Sequence, residues 1–119
     1  MRNDRIERRT RRFRSRRTTG DRVRQALTAL AEAQPQVLSH EEKPWASITF
    51  AGTRHELVFE FLGIAACKAG ERFIAALPDH EFAIPGQLVA DATISAVTHS
   101  CTPELRLVVT AVLLLLEEG

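Results

Sequence analysis

Glu104-Leu-Arg-Leu-Val-Val-Thr-Ala-Val-Leu-Leu-Leu-Leu116 is the longest apolar run in the chain, and it contains no Gly or Pro. At thirteen residues it falls short of the ~18 to 20 apolar residues that span a bilayer as a helix. Its Val-rich, near-continuous hydrophobicity is that of a strand buried on both faces. It is therefore expected to be the central strand (strand 4), with everything upstream folded against it.

Working back from it, His99-Ser-Cys-Thr-Pro103 reads as a loop. Before that, Leu88–Val97 alternates, with Leu88, Ala90, Ala92, Ile94 and Ala96 expected on one face of strand 3. Residues 64–77 have helical spacing, with Cys67, Ile74 and Leu77 on one face together with Gly70. A glycine inside a helix loses about 1 kcal/mol against Ala, so Gly70 on the buried face implies close approach to the sheet. His55–Phe61 alternates as strand 2, with Leu57, Phe59 and Phe61 on one side and Glu56, Val58 and Glu60 on the other. Ala51-Gly52-Thr53-Arg54 reads as a hairpin turn, Trp45–Phe50 as strand 1 and Gln34–Pro44 as a connection. Thr18-Thr19-Gly20-Asp21 supplies capping chemistry for a first helix over about 21–33.

The order is αββαββ. It predicts a two-layer α+β domain over 21–119, in which two helices cover one face of a four-stranded antiparallel or mixed sheet. This order is a circular permutation of the ferredoxin-like arrangement. Strands 2 and 4 are expected side by side in the centre, parallel, with strands 1 and 3 at the edges. Trp45 and the phenylalanines at 50, 59, 61, 73 and 82 are expected to pack between sheet and helices. Two helices leave one sheet face uncovered, yet strand 4 presents Val108, Val112, Leu114 and Leu116 there. A second subunit, the N-terminal arm or a ligand could cover this row, and a homodimer is the favoured expectation.

Charge divides the chain. Residues 1–24 hold eleven arginines against three acids, a net +8, whereas 25–119 hold five basic residues against twelve acids, a net −7. Residues 1–20 carry only Ile6 and Phe13 as bulky apolar groups, too few to offset the ordering entropy of roughly 1–2 kcal/mol per residue. They are expected to form a flexible or marginally helical basic arm. Arg8, Arg9, Arg11, Arg12, Arg14, Arg16 and Arg17 are candidates for neutralising phosphates, without base readout because aromatics are not interleaved. A solvated tail, or contact with an acidic protein surface, would use the same residues.

No catalytic motif is present. The four histidines and two cysteines have none of the short paired spacings of zinc sites, and no glycine-rich phosphate loop occurs. Neither a metal nor another cofactor is expected. Two cysteines make no disulfide framework and residues 1–20 lack a secretory apolar segment, so the expected setting is cytoplasmic. The expectation for function is a small, non-enzymatic, self-associating module whose basic arm is available for nucleic acid or another anionic partner, without a membrane. The alternative is a small enzyme or ligand-binding protein with a pocket closed by the loops near His55, His80 and His99.

Overall fold

The computed structural model describes residues 18–118. The arm residues Arg8, Arg9, Arg11, Arg12, Arg14, Arg16 and Arg17 lie outside this range. The elements are α1 (Thr19–Ala31), β1 (Gln36–Ala46), β2 (Ala51–Leu62), α2 (Ile64–Ala76) with a 3-10 turn at Leu77–Asp79, β3 (Gln87–Ser100) and β4 (Arg106–Glu117). They form an α+β fold with a four-stranded antiparallel sheet in the order β1-β2-β4-β3. Among the described residues no helix is long and apolar enough to cross a membrane.

Helix α1 begins at a reciprocal capping box. The Thr18 hydroxyl accepts from the Asp21 amide, and the Asp21 carboxylate accepts from the Thr18 amide. Val23, Leu27 and Ala31 then repeat at helical spacing and are fully buried. Helix α2 buries Cys67, Ala69, Gly70 and Phe73. A Cβ on Gly70 would sit 2.6 Å from Leu107 Cδ2 and 2.9 Å from Phe61 Cγ, so the missing side chain is what lets the helix lie this close to the sheet. Phe73 meets Phe59 edge-on, with ring centroids 5.5 Å apart, and forms the centre of the core with Phe61, Leu107 and Val109.

Strand β4 is central, as its hydrophobicity requires. Leu107, Val109, Ala111, Leu113 and Leu115 face the helices and are fully buried. Its pairing with β2 is antiparallel, which corrects the parallel expectation. The reason lies in the connections. The crossover through α2 carries β2 into β3 in the same direction, and the β3–β4 hairpin then reverses the chain. Strand β4 therefore runs against β2.

Both edge strands depart from the sequence expectation. Strand β1 occupies the stretch expected as a connection, and the turn falls at Ser47–Phe50. There the Ser47 amide donates to the Phe50 carbonyl and the Phe50 amide to the Ser47 hydroxyl. Residues 51–54 are strand, not turn, because Gly52 lets β2 press against β4. A Cβ there would collide with the Leu115 carbonyl. Trp45, Ile48 and Phe50 consequently leave the core and are exposed at this end of the sheet. In β3, register shifts between Val89 and Asp91 and between Ile94 and Ala96 interrupt the alternation. Val89, Ala92 and Ile94 pack against the core instead of the expected Leu88, Ala90, Ala92, Ile94 and Ala96 set.

Candidate functional site: an apolar outer sheet face and a buried histidine pair

The register defines the outer face of the sheet. Along β4 it presents Arg106, Val108, Thr110, Val112, Leu114 and Leu116. Directly opposite on β2 are Leu62, Glu60, Val58, Glu56, Arg54 and Gly52. On β3 they are Ser100, Thr98, Ala96, Thr93, Asp91 and Leu88. Val108, Leu114 and Leu116 are half-buried, and Val112, flanked in register by Glu56 and Thr93, keeps 9% of its surface. Leu62, Leu88 and Trp45 around this row are exposed. The result is an apolar stripe down β4, with the Arg54–Glu56 ion pair beside it on β2 and the Arg106–Glu60 pair joining the start of β4 to β2.

The inner face is different at β1. Register places Val37, His40, Glu42 and Pro44 opposite Phe59, Leu57, His55 and Thr53, so the helix side of this edge strand carries two polar residues, His40 and Glu42, at its middle. His55 on β2 is fully buried, and His40 Nε2 lies 2.9 Å from His55 Nδ1. Glu42 Oε1 is 3.9 Å from the same nitrogen. The first turn of α1 lies over them. Arg24 Nη2 is 3.4 Å from His40 Nδ1, and a Cβ on Gly20 would come within 2.7 Å of Glu42 Oε2.

These contacts decide where the protons sit. Arg24 can only donate, so His40 Nδ1 accepts and His40 Nε2 carries the hydrogen. His40 then donates to His55 Nδ1, which leaves the hydrogen of His55 on Nε2. That atom is buried without a hydrogen-bond partner among the described residues. Burial lowers the pKa of His55, opposed by Glu42 and assisted by His40. Burial also lowers His40, assisted by Arg24 and opposed by Glu42 and Asp21. Both rings are neutral at physiological pH.

The other sequence candidates are not brought together. His55 pairs with Leu113 and His99 with Leu107, six residues apart on β4 and so about 20 Å along the sheet. His80 lies against Phe82 in an open groove beside the start of β3. Cys67 is buried and donates to the Phe61 carbonyl, burial raising its pKa, whereas Cys101 is exposed. The His40–Glu42–His55 grouping escaped the sequence reading. Its signal was a His-x-Glu spacing, which places two side chains on one face only if the stretch is a strand.

Comparison with protein-family models, curated proteins and solved structures finds no match for this chain.

Proposed function

We propose that this chain is a non-enzymatic module that forms a homodimer through the outer face of its sheet, with the arginine arm left to engage anionic partners. The observation that carries the reading is the apolar row Val108, Val112, Leu114 and Leu116, on a face to which neither α1 nor α2 contributes cover.

Three features support a second copy as the occupant. The first is area. Four strands at about 4.8 Å and eleven residues at about 3.3 Å give a footprint of roughly 700 Å². That is close to the ~800 Å² per partner of a standard interface. The second is charge. Arg54 and Asp91 flank Leu114 on opposite sides. A two-fold axis along β4 stacks Leu114 on Leu114 and brings Arg54 of each copy over Asp91 of the other. The third is what the edges forbid. Strand β1 has a register shift between Val37 and Ser39 and carries Pro44, and β3 has two shifts. Such edges resist strand-to-strand pairing and leave the face as the route for association.

The test is light scattering on the full chain, whose mass is 13.3 kDa. A dimer is expected. Val112→Lys, which buries a charge in the stripe, and Arg54→Asp, which faces Asp91 with a like charge, should each shift it to monomer with an unchanged circular dichroism spectrum. Adding Asp91→Arg to Arg54→Asp should restore the dimer. A monomeric wild type, or variants that remain dimeric, would refute the interface. Candidate nucleic-acid contacts are Arg8, Arg9, Arg11, Arg12, Arg14, Arg16 and Arg17, acting as point charges on phosphates.

A further inference from the structure

We infer that His40, Glu42 and His55 form a binding site for a zinc-class divalent metal ion between β1, β2 and the first turn of α1. The donor set is two imidazoles and one carboxylate, a combination suited to Zn²⁺ and its neighbours Co²⁺ and Ni²⁺. It leaves the fourth tetrahedral position to water or an added ligand.

Geometry is the first support. Tetrahedral zinc with bonds of about 2.0–2.1 Å holds its donor atoms about 3.4 Å apart. Here one donor atom from each of the three residues lies within 4.8 Å of the other two. The two distances to His55 Nδ1, 2.9 Å from His40 Nε2 and 3.9 Å from Glu42 Oε1, bracket the required value. The His40–Glu42 pair lies within 4.8 Å, so side-chain shifts of about an ångström, taken mainly by the exposed Glu42, would bring all three to one centre. All three ligands stand on the paired strands β1 and β2, with Glu42 directly opposite His55 in the register.

The second support is the state of His55. A fully buried imidazole with an orphaned nitrogen is expensive to keep in a metal-free core, and a leucine would fill the same space without that cost. A metal on Nδ1 gives the ring a use that packing alone does not, although it keeps the ring hydrogen on Nε2 and leaves that atom unpaired. The support therefore lies in a buried imidazole whose Nδ1 faces the other two donors and not in relief of the orphan. Gly20 is the third support. Its lack of a side chain leaves room for the Glu42 carboxylate beneath the helix.

One neighbour opposes the ion. Metal on His40 Nε2 moves the ring hydrogen to Nδ1, which then faces the donor-only guanidinium of Arg24. Arg24 must swing away, and its charge also repels the ion. Glu42 and Asp21 provide the opposing negative charge at this helix end. The site therefore predicts a gain as well as losses on substitution.

The experiment is zinc titration by calorimetry on the full, tag-free chain, with Co²⁺ absorption as the spectroscopic readout. The expected result is one equivalent of Zn²⁺ per chain and a tetrahedral Co²⁺ band that zinc displaces. His40→Gln and Glu42→Gln, both at partly exposed positions, should each weaken binding at least tenfold while the circular dichroism spectrum in chelator stays that of the folded wild type. Gly20→Ala, whose Cβ pushes the carboxylate aside, should weaken binding while leaving the helix intact. Arg24→Gln should tighten binding several-fold. His80→Gln and His99→Gln should bind as the wild type does. No stoichiometric zinc, binding that survives loss of His40 and Glu42 together, or binding lost with His80 or His99 would each overturn the site.

Discussion

Replacing His55 by leucine should stabilise the metal-free protein. The wild-type ring is fully buried, and its Nε2 has no hydrogen-bond partner among the described residues. Leaving a buried polar group unpaired costs about 1–3 kcal/mol. Leucine has similar bulk, removes that penalty and packs among Leu57, Leu113 and α1. The substitution gives up one neutral hydrogen bond to His40, worth about 1 kcal/mol, part of which water restores at that half-buried ring. The net gain is about 1–2 kcal/mol, a rise in Tm of roughly 5–10 °C for a fold of this size. Thermal and denaturant unfolding in chelator at neutral pH measure it. Saturating zinc should reverse the order, because at a hundredfold excess over Kd the ion adds about 2.7 kcal/mol to the wild type and nothing to the variant. The pH dependence carries the same signature. The folded pKa values of His55 and His40 lie below the ordinary 6.5, so the unfolded chain takes up protons first as pH falls. The wild type should hold its full stability above that value and lose it progressively as pH drops from there through the folded values. His55→Leu should be flatter over the same window. A variant less stable than wild type in chelator by more than about 1 kcal/mol, or one with the wild-type pH slope, would refute this account of His55.

Other outcomes follow from the packing and from the arm. Phe73→Ala opens a cavity between Phe59 and Phe61 and should cost about 3–5 kcal/mol by denaturant unfolding, much of the stability of a domain of this size. Gly52→Ala, whose Cβ meets the Leu115 backbone and not a movable side chain, should lower Tm more than Ala51→Gly at the neighbouring exposed position. Exchanging Arg8, Arg9, Arg11, Arg12, Arg14, Arg16 and Arg17 for glutamine should abolish any salt-dependent binding to duplex DNA. With all seven arginines on phosphates, the slope of log K against log salt would reach about −6.

The parts of the fold legible in the sequence are those where one face is apolar and the other polar. Leu57, Phe59 and Phe61 alternate without interruption, and Val23, Leu27 and Ala31 keep helical spacing, so β2 and α1 could be placed within a few residues. Strand β4 announced itself by bulk. Strand β1 could not be read in this way. Its inward positions 40, 42 and 44 are His, Glu and Pro, so no apolar alternation marks it. The apolar residues of 45–50 drew the strand and its turn four residues too far along. In β3 each bulge reverses the phase, so a strict period of two fails twice within fourteen residues. The histidine grouping was hidden for the same reason as β1. The polar side chains that erase the strand signal are the ones that gather beneath α1.

The order of the sheet also sets the way the chain must fold. The outer pairings, β1 with β2 and β3 with β4, are local hairpins that can close within microseconds. The central seam joins Gly52 to Leu116 and Leu62 to Arg106, partners separated by 64 and 44 residues. Closing it requires both hairpins and α2 to be in place, so docking of the two halves is the slow, non-local step. Until it occurs, the Val- and Leu-rich edge of β4 stands open, with charges only at its two ends, Glu104 and Arg106 before the run and Glu117 and Glu118 after it, to discourage other chains. The strand most protected in the finished protein is thus the one most vulnerable to aggregation during synthesis. Refolding yield should fall with chain concentration even where the folded protein is fully stable.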